Sequence, residues 1–254
     1  MDTLILIPTY NNAGTLANVL ERALSQGLPV LVVDDGSTDG TAALLDNALA
    51  ATRTPNTPLL CPDGAENALF VVHHAINQGK GRALKTGFEW AREQGFEYVI
   101  TLDSDGQHFP EDIPTLLAAK APRTLVVGSR NIQAHGMAGS STFANKFSNF
   151  WYTLYTWKKL PDTQTGYRLY PLNDLPSLGL LSARYEAELT LLVFSAWKGL
   201  KLVSVPVKVD YPENRVTHFR PGKDFARISV LNTLLLFVAM FYGYPRMLLS
   251  KLLR

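Results

Sequence analysis

The sequence is short of cysteine. Cys61 is the only one in 254 residues, so no internal disulfide can form and the chain suits a reducing compartment. Charge of one sign is lacking too. Against 24 Lys and Arg stand 22 Asp and Glu, a net charge of +2, and no global field argues for nucleic acid as a partner. No uninterrupted apolar run reaches the roughly 20 residues of a membrane-spanning helix. The longest, residues 228–242, is broken by Ser229, Asn232 and Thr233. Internal repeats, low-complexity tracts and the Walker and Rossmann glycine patterns are missing as well. Met1-Asp2-Thr3 carries no basic n-region, and residues 4–7 are too short for a signal core, which points to the cytosol. What remains is globular in composition, 46% hydrophobic and 18% charged, and long enough for one large domain with a substantial core.

Strand-like and helix-like segments alternate from the start. Apolar runs at 3–7, 30–34, 69–73, 98–102 and 124–128 read as strands, and helical patterns follow at 13–26, 40–50, 82–93 and 112–120. Continuous rather than alternating apolar strands in a βαβα order predict an α/β fold, a mainly parallel sheet covered by helices on both faces. Residues 52–65, with three prolines and a glycine, read as a loop and an insertion. The second half is mixed: helices at 141–158 and 184–198, strands at 167–170 and 202–209.

The chemistry is carried where strands end. Ile100-Thr-Leu-Asp103-Ser104-Asp105 closes a buried strand on two carboxylates spaced i, i+2, which an extended backbone points the same way. Such a pair repels itself unless a cation lies between, and a hard ion with oxygen ligands, Mg2+ or Mn2+, suits it and brings substrate phosphates. The other reading is an acidic turn capping the next helix. Three further clusters should lie along the same sheet edge. Pro8-Thr9-Tyr10-Asn11-Asn12 follows the first strand. In 34–41, Asp34 and Asp35 precede a turn that needs only one capping acid, and a nucleobase or ribose offers donors to the second. Asn77-Gln78-Gly79-Lys80-Gly81-Arg82 lets backbone N–H groups approach a diphosphate at a helix N-terminus. In chain order these describe a nucleotide-diphosphate pocket.

On these residues the chain resembles the family 2 inverting glycosyltransferases with the GT-A fold. The matching motifs are Ile-Pro-Thr-Tyr-Asn at 7–11, Val-Asp-Asp-Gly-Ser at 33–37, Asp39-Gly40-Thr41, Asn77-x-Gly79-x-Gly81 and Asp103-x-Asp105. Gln107, Gly-Ser-Arg at 128–130, and Asp162 followed by Gly166, Tyr167 and Arg168 resemble the dolichyl- or polyprenyl-phosphate mannosyltransferase branch. The resemblance spans about residues 3–215. It implies a GT-A domain over 1–227, a nucleotide-diphosphate sugar donor held by the first three clusters with Asp35 near the base, Asp105 and Gln107 on the metal, and Arg130 near an acceptor phosphate, with Arg168 in the same motif. Two departures stand out. The family's Tyr-Asn-Glu is Tyr10-Asn11-Asn12, and the basic cluster after the Gly-Ser-Arg is thinned to a stretch with Asn145, Lys146 and Asn149. The segments around Glu186 and Glu188, Val205-Pro206-Val207, and Thr217-His218-Phe219-Arg220-Pro221 resemble a bacterial subgroup.

The expected function is metal-dependent transfer of a sugar to a lipid-linked acceptor, a polyprenyl phosphate first, at the inner face of the cell membrane. A hydroxyl acceptor would need a carboxylate base, with Asp162, Glu186 and Glu188 as candidates. On a helix the two glutamates point to different sides, so at most one faces the site. A sugar-1-phosphate nucleotidyltransferase lacks support, since the N-terminal cluster is not glycine-rich and basic. A non-catalytic sugar- or lipid-binding module is disfavoured by Asp103, Asp105 and Gln107. Arg215, His218 and Arg220 form a basic string that suits acceptor phosphate, anionic lipid or solvent. The C-terminal 228–254 pairs an apolar run with an amphipathic, basic helix after Gly243-Tyr244-Pro245. It suits either a membrane interface or a helix packed on the core.

Overall fold

The computed structural model describes residues 2–52, 68–130, 139–180, 186–210 and 221–252. Among the described residues, seven strands form one sheet: β1 (Thr3–Thr9), β2 (Val30–Asp34), β3 (Leu69–His73), β4 (Tyr98–Thr101), β5 (Thr124–Arg130), β6 (Arg168–Pro171) and β7 (Lys201–Val207), in the order β3-β2-β1-β4-β6-β5-β7. Eight α-helices of the described residues flank it: α1 (Ala13–Leu24), α2 (Thr41–Thr52), α3 (Lys80–Glu93), α4 (Ile113–Ala118), α5 (Gly139–Thr156), α6 (Glu186–Trp197), α7 (Pro221–Val238) and α8 (Tyr244–Leu252).

The apolar strand runs follow from burial on both faces. Along β1, Leu4 and Leu6 join one core layer with Phe88, Tyr152 and Trp197, while Ile5 and Ile7 join the other with Leu16, Val19 and Ile113. On the α3 side, Gly87 lies so close to Leu6 that any side chain there would overlap it. The central ladders are parallel, as the βαβα order predicts.

One strand breaks that pattern. β6 runs antiparallel to both neighbours, pairing Thr101 with Arg168 on β4 and Val127 with Arg168 on β5. The reversal brings the chain into the sheet from the carboxyl edge, so residues 162–168 are delivered beside the ends of β4 and β5. The strand order also changes direction at β1, between β2 and β4, the kind of crevice where open α/β sheets bind ligands.

The C-terminal residues continue this body. α7 runs through 227–228, a π-helical turn spans Ala239–Gly243, and α8 follows at once. The expected interruption at Gly243-Tyr244-Pro245 is therefore a local widening, with Pro245 in the first turn of α8, where a missing N–H costs nothing. Asn232, Leu235, Ala239 and Met247 are buried against the body, and Tyr155 Oη donates to Asn232 O at 2.9 Å. Gly243 lies flat against the Trp197 ring. Among the described residues no helix is long and apolar enough to cross a membrane. The loop expected at 52–65 lies outside the described residues except Thr52, which ends α2.

Candidate active site

The loops after β1, β2 and β4 are laced together by side chains. Asn11, in the left-handed region at φ 53°, takes the Thr38 N–H on its Oδ1 at 2.7 Å and gives its own N–H to Ser37 Oγ at 2.9 Å. Asn12 precedes α1 and donates its Nδ2 to Ser104 Oγ at 2.8 Å, while Thr15 Oγ1 donates to the Ser104 carbonyl at 2.7 Å. The residue between the two aspartates is thus pinned to the start of α1, which fixes where both carboxylates point. Pro8 lies inside β1, buried, and Tyr10 is half-buried in the loop that follows.

Asp35 is almost fully buried and both its oxygens are used. They accept the N–H groups of Gln78 at 3.0 Å and Gly79 at 2.6 Å, and His74 Nδ1 lies 2.7 Å away. The structure places Asp35 as the anchor of the glycine turn, which it holds by charge-assisted bonds. Gly79, at φ 96°, opens α3 there, and Asn77 beside it is exposed. His73, which ends β3, braces the neighbouring aspartate, its Nδ1 2.9 Å from Asp34 Oδ2. An open cavity of about 330 Å³ lined by Asp34, Ser37, Thr38, Asp46 and His73 sits beside them, on the far side of β2 from the paired carboxylates.

The glycine turn delivers Lys80 to the centre. Its Nζ is 2.6 Å from Asp103 Oδ1 and 3.2 Å from Glu188 Oε2, bridging β4 to the first turn of α6. Gly166 closes over this group. Its carbonyl accepts the Thr101 hydroxyl at 2.5 Å, and a β-carbon there would fall 2.7 Å from Asp103 Oδ2, 2.9 Å from Glu188 Oε1 and 3.0 Å from Lys80 Nζ. Burial opposes the charge on Lys80, but Asp103 and Glu188 outweigh it and hold the ammonium above its ordinary pKa. Burial also pushes Asp103 up, yet the Lys80 charge more than offsets this and leaves it below the usual carboxylate range. Asp105 goes the other way, raised by burial and then by the Asp103 charge. Glu188 is raised as well, by burial that Lys80 and Arg168 only partly counter, and its Oε1 is buried without a hydrogen bond. Glu186, two residues earlier and so about 200° around the helix, forms no ion pair with Lys80.

This donor set fits a divalent ion. Burial and the neighbouring Asp103 charge raise Asp105 although Lys80 partly offsets them, and a cation beside the two carboxylates would relieve both effects. Among the described residues no group of three or more His, Cys, Asp or Glu could hold an ion unaided, so an ion here would lean on substrate oxygens, as Mg2+ does. Gln107 begins the next turn, its N–H on Asp105 Oδ1 at 3.0 Å.

A second charged pair stands at the end of β5. Asp162 is fully buried and accepts five N–H groups: Arg130 N, Nε and Nη2, Asn145 Nδ2 and Gln164 N, the closest being Arg130 Nε at 2.6 Å. Burial raises its pKa, but the Arg130 guanidinium overrides this and the carboxyl stays below its ordinary range. So saturated, Asp162 is placed to fix Arg130 and not to take a proton. Asn149 adds Nδ2 to Asn145 Oδ1 at 2.7 Å and receives Thr163 N at 3.0 Å. The stretch that looked like a thinned basic cluster is thus the clamp for the Asp162 loop.

Arg168, expected at the acceptor, is elsewhere. It is fully buried and donates to the Glu188 carbonyl at 2.8 Å, the Thr163 carbonyl at 2.9 Å and the Tyr170 hydroxyl at 3.3 Å, a brace between β6 and α6. Arg215, His218 and Arg220 lie outside the described residues. Sequence reasoning gave no role to His108, which is buried with Nε2 3.4 Å from Thr165 Oγ1, Nδ1 unbonded, and its pKa brought down to about 4 by burial. Its only sequence signal was position, three residues past Asp105.

A sequence model described as glycosyl transferase family 2 matches residues 4–170. An undecaprenyl-phosphate mannosyltransferase of Micrococcus luteus is 32% identical over 216 residues, 82% of this chain and 83% of its own. A polyprenol monophosphomannose synthase of Mycolicibacterium smegmatis is 31% identical over 218 residues, covering 81% and 76%. Among solved structures, the fold is similar to glucosyl-3-phosphoglycerate synthase of Mycobacterium tuberculosis in complex with Mn2+, UDP-glucose and phosphoglyceric acid. The TM-score is 0.59 at 19% identity over 93% of this chain and 79% of that one. It is also similar to the mannosyltransferase PcManGT of Pyrobaculum calidifontis with GDP-Man and Mn2+, with TM-score 0.55, 17% identity and coverage of 94% and 73%.

Proposed function

The chain belongs to glycosyl transferase family 2, and from that premise we propose that it is a metal-dependent inverting enzyme. It moves a sugar from a nucleotide-diphosphate donor to a polyprenyl phosphate at the cytoplasmic face of a membrane. The observation that carries this reading is the meeting, at one sheet edge, of the Lys80–Asp103–Glu188 cluster with Asp105 and of the Arg130–Asp162 pair. The first suits a diphosphate, the second an acceptor anion. Relatives described as polyprenyl-phosphate mannosyltransferases support the lipid acceptor, and structural neighbours holding Mn2+ support the ion.

In this reading the turn anchored by Asp35 presents backbone N–H groups and Lys80 to the donor phosphates. Asp105 and Gln107 would hold Mg2+ or Mn2+, which when bound neutralises charge on the departing nucleoside diphosphate. Arg130, set by Asp162, orients the acceptor phosphate by charge-assisted bonds. An acceptor oxygen forms the new bond to the anomeric carbon as the bond to the diphosphate oxygen breaks on the opposite face. A phosphate is already an anion and needs no base.

One observation favours a hydroxyl acceptor instead: Glu188 has an enclosed oxygen with no hydrogen bond, and burial raises its carboxyl above the ordinary range, which strengthens it as a base. The two readings separate cleanly. For a phosphate acceptor, Arg130→Ala costs far more than Glu188→Gln, and the rate is nearly flat from mildly acidic to neutral pH. For a hydroxyl acceptor, Glu188→Gln falls about 100-fold and the wild-type rate climbs with pH through the glutamate.

A further inference from the structure

Apart from Ile76, the large exposed apolar side chains of the described residues lie on α5, on α7 and α8 with the turn between them, or at the end of α5. On α5 they are Phe150 and Leu154, spaced i, i+4 on one face, with Trp157 immediately past the end of the helix. On α7 and the π-helical turn they are Val230, Leu234, Phe237 and Phe241, again one face, with Phe241 79% exposed. The inward face of the same helix mixes Leu235 with Asn232, Ala239 and Gly243. The outward face is therefore far more apolar than that of an ordinary surface helix: its bulkiest side chains, Phe237 and Phe241, point away from the protein. The two faces adjoin, because Tyr244 stacks on Trp157 at 4.7 Å and donates its hydroxyl to Leu154 O at 2.8 Å.

We propose that this face of α5, α7 and α8 is a docking surface for an anionic lipid bilayer, into which the three helices sink their apolar side without spanning it. The charge around it selects the occupant. Residues 139–160 contain Lys146, Lys158 and Lys159 and no acid, and residues 221–254 contain Lys223, Arg227, Arg246, Lys251 and Arg254 against a single acid, Asp224. A second copy of the chain would bring the same positive charge against itself, whereas anionic headgroups complement it. Trp157, Tyr242 and Tyr244 are the amphipathic rings that settle at headgroup depth, and Arg246 lies over the Tyr242 ring at 5.7 Å.

The surface is tied to the chemistry. α5 carries Asn145 and Asn149, which clamp the Asp162 loop and through it Arg130. A bilayer seated on Phe150, Leu154 and Trp157 therefore sets the height of Arg130 above the lipid, where the phosphate of a membrane-held acceptor would meet it. This last step rests on the lipid-acceptor reading above; the docking itself does not.

The test uses the full chain with neither donor nor acceptor. Cosedimentation is measured with vesicles of phosphatidylcholine alone and of phosphatidylcholine with phosphatidylglycerol. The expected result is binding that is stronger to the anionic vesicles, weakened by salt, and reduced at least about 10-fold in Phe237→Ser/Phe241→Ser. Both side chains are exposed, so the variant should keep the wild-type melting profile. A second readout needs no surface variant to fold: brominated acyl chains should quench wild-type tryptophan fluorescence, and Trp157→Phe should remove most of that quenching. Absence of vesicle binding by the wild type overturns the proposal. So does a wild-type dimer that Phe237→Ser/Phe241→Ser converts to monomer while vesicle binding stays unchanged, since the face then belongs to a second copy.

Discussion

Removing the Lys80 ammonium should destabilise the protein through the two carboxylates it leaves behind. Lys80→Met keeps a side chain of similar length, but Asp103 and Glu188 lose the charge that lies 2.6 and 3.2 Å from them. At an effective dielectric near 20, each contact represents about 5–6 kcal/mol of raw attraction, most of it cancelled by desolvation. Breaking a buried pair from one side costs about 3–5 kcal/mol. Lys80 and Asp103 keep 18% and 25% side-chain exposure, so solvent screening places the loss at the lower end, about 3 kcal/mol. In a chain of this length that lowers Tm by about 6–12 °C. Adding Glu188→Gln removes one stranded charge, so the double variant should be less damaged than the sum of the singles by about 1–2 kcal/mol. The sign with pH follows. Without Lys80 the carboxylates take up protons more readily, so the gap to wild type should narrow as pH falls from neutral toward 5. Urea and thermal unfolding of the four proteins at both pH values measure all of this. A Tm change under about 2 °C, or strict additivity, would show that Lys80 is not the counter-ion of the cluster.

Gly166→Ala pushes a methyl into Asp103, Glu188 and Lys80 together; it should cost about 1–3 kcal/mol of stability and about 100-fold in transfer, and wild-type turnover would refute the close approach. Asp162→Asn keeps shape but removes the counter-charge that fixes Arg130, so acceptor KM should rise more than donor KM in steady-state assays. Because the pKa of Asp162 is depressed on folding, its stabilisation is present above about pH 4 and lost as pH falls through the folded value, so wild type and Asp162→Asn should converge in acid melts. Asp35→Ala frees the Gln78–Gly79 turn and should raise donor KM with a smaller effect on kcat, which donor titration checks.

The parallel half of the fold was legible because its strands are buried on both faces: β2 and β3 match the apolar runs at 30–34 and 69–73 residue for residue, and Asp103 and Asp105 announce themselves at the end of such a run. What stayed hidden depends on contacts between distant segments. The reversal of β6 has no local signature in Arg168-Leu-Tyr-Pro171, yet it delivers Gly166 and Asp162. Arg168 reads as part of the acceptor motif, and only the carbonyls of Thr163 and Glu188, five and twenty residues away, allow it to be buried as a brace. Glu186 and Glu188 could not be ranked by sequence, because the choice turns on which faces Lys80 across the sheet edge. Asn145 and Asn149 looked like lost positive charge and instead hold a carboxylate. The C-terminal helices fitted core or interface equally well by pattern; their burial shows an inward face that packs Leu235, Ala239 and Met247 on the core and an outward face that leaves Leu234, Phe237 and Phe241 exposed.

The central claim is transfer of a sugar from a nucleotide diphosphate to a lipid, and one measurement meets it directly. Wild type and Asp105→Asn are each incubated with a panel of radiolabelled nucleotide sugars, Mn2+ and polyprenyl phosphate, and the label is followed into the organic phase. The account predicts that one donor transfers its label with the wild type, that the variant moves almost none, and that omitting the ion abolishes the reaction. Label that stays in the aqueous phase with every donor, or that reaches the lipid equally with Asp105→Asn, would contradict it.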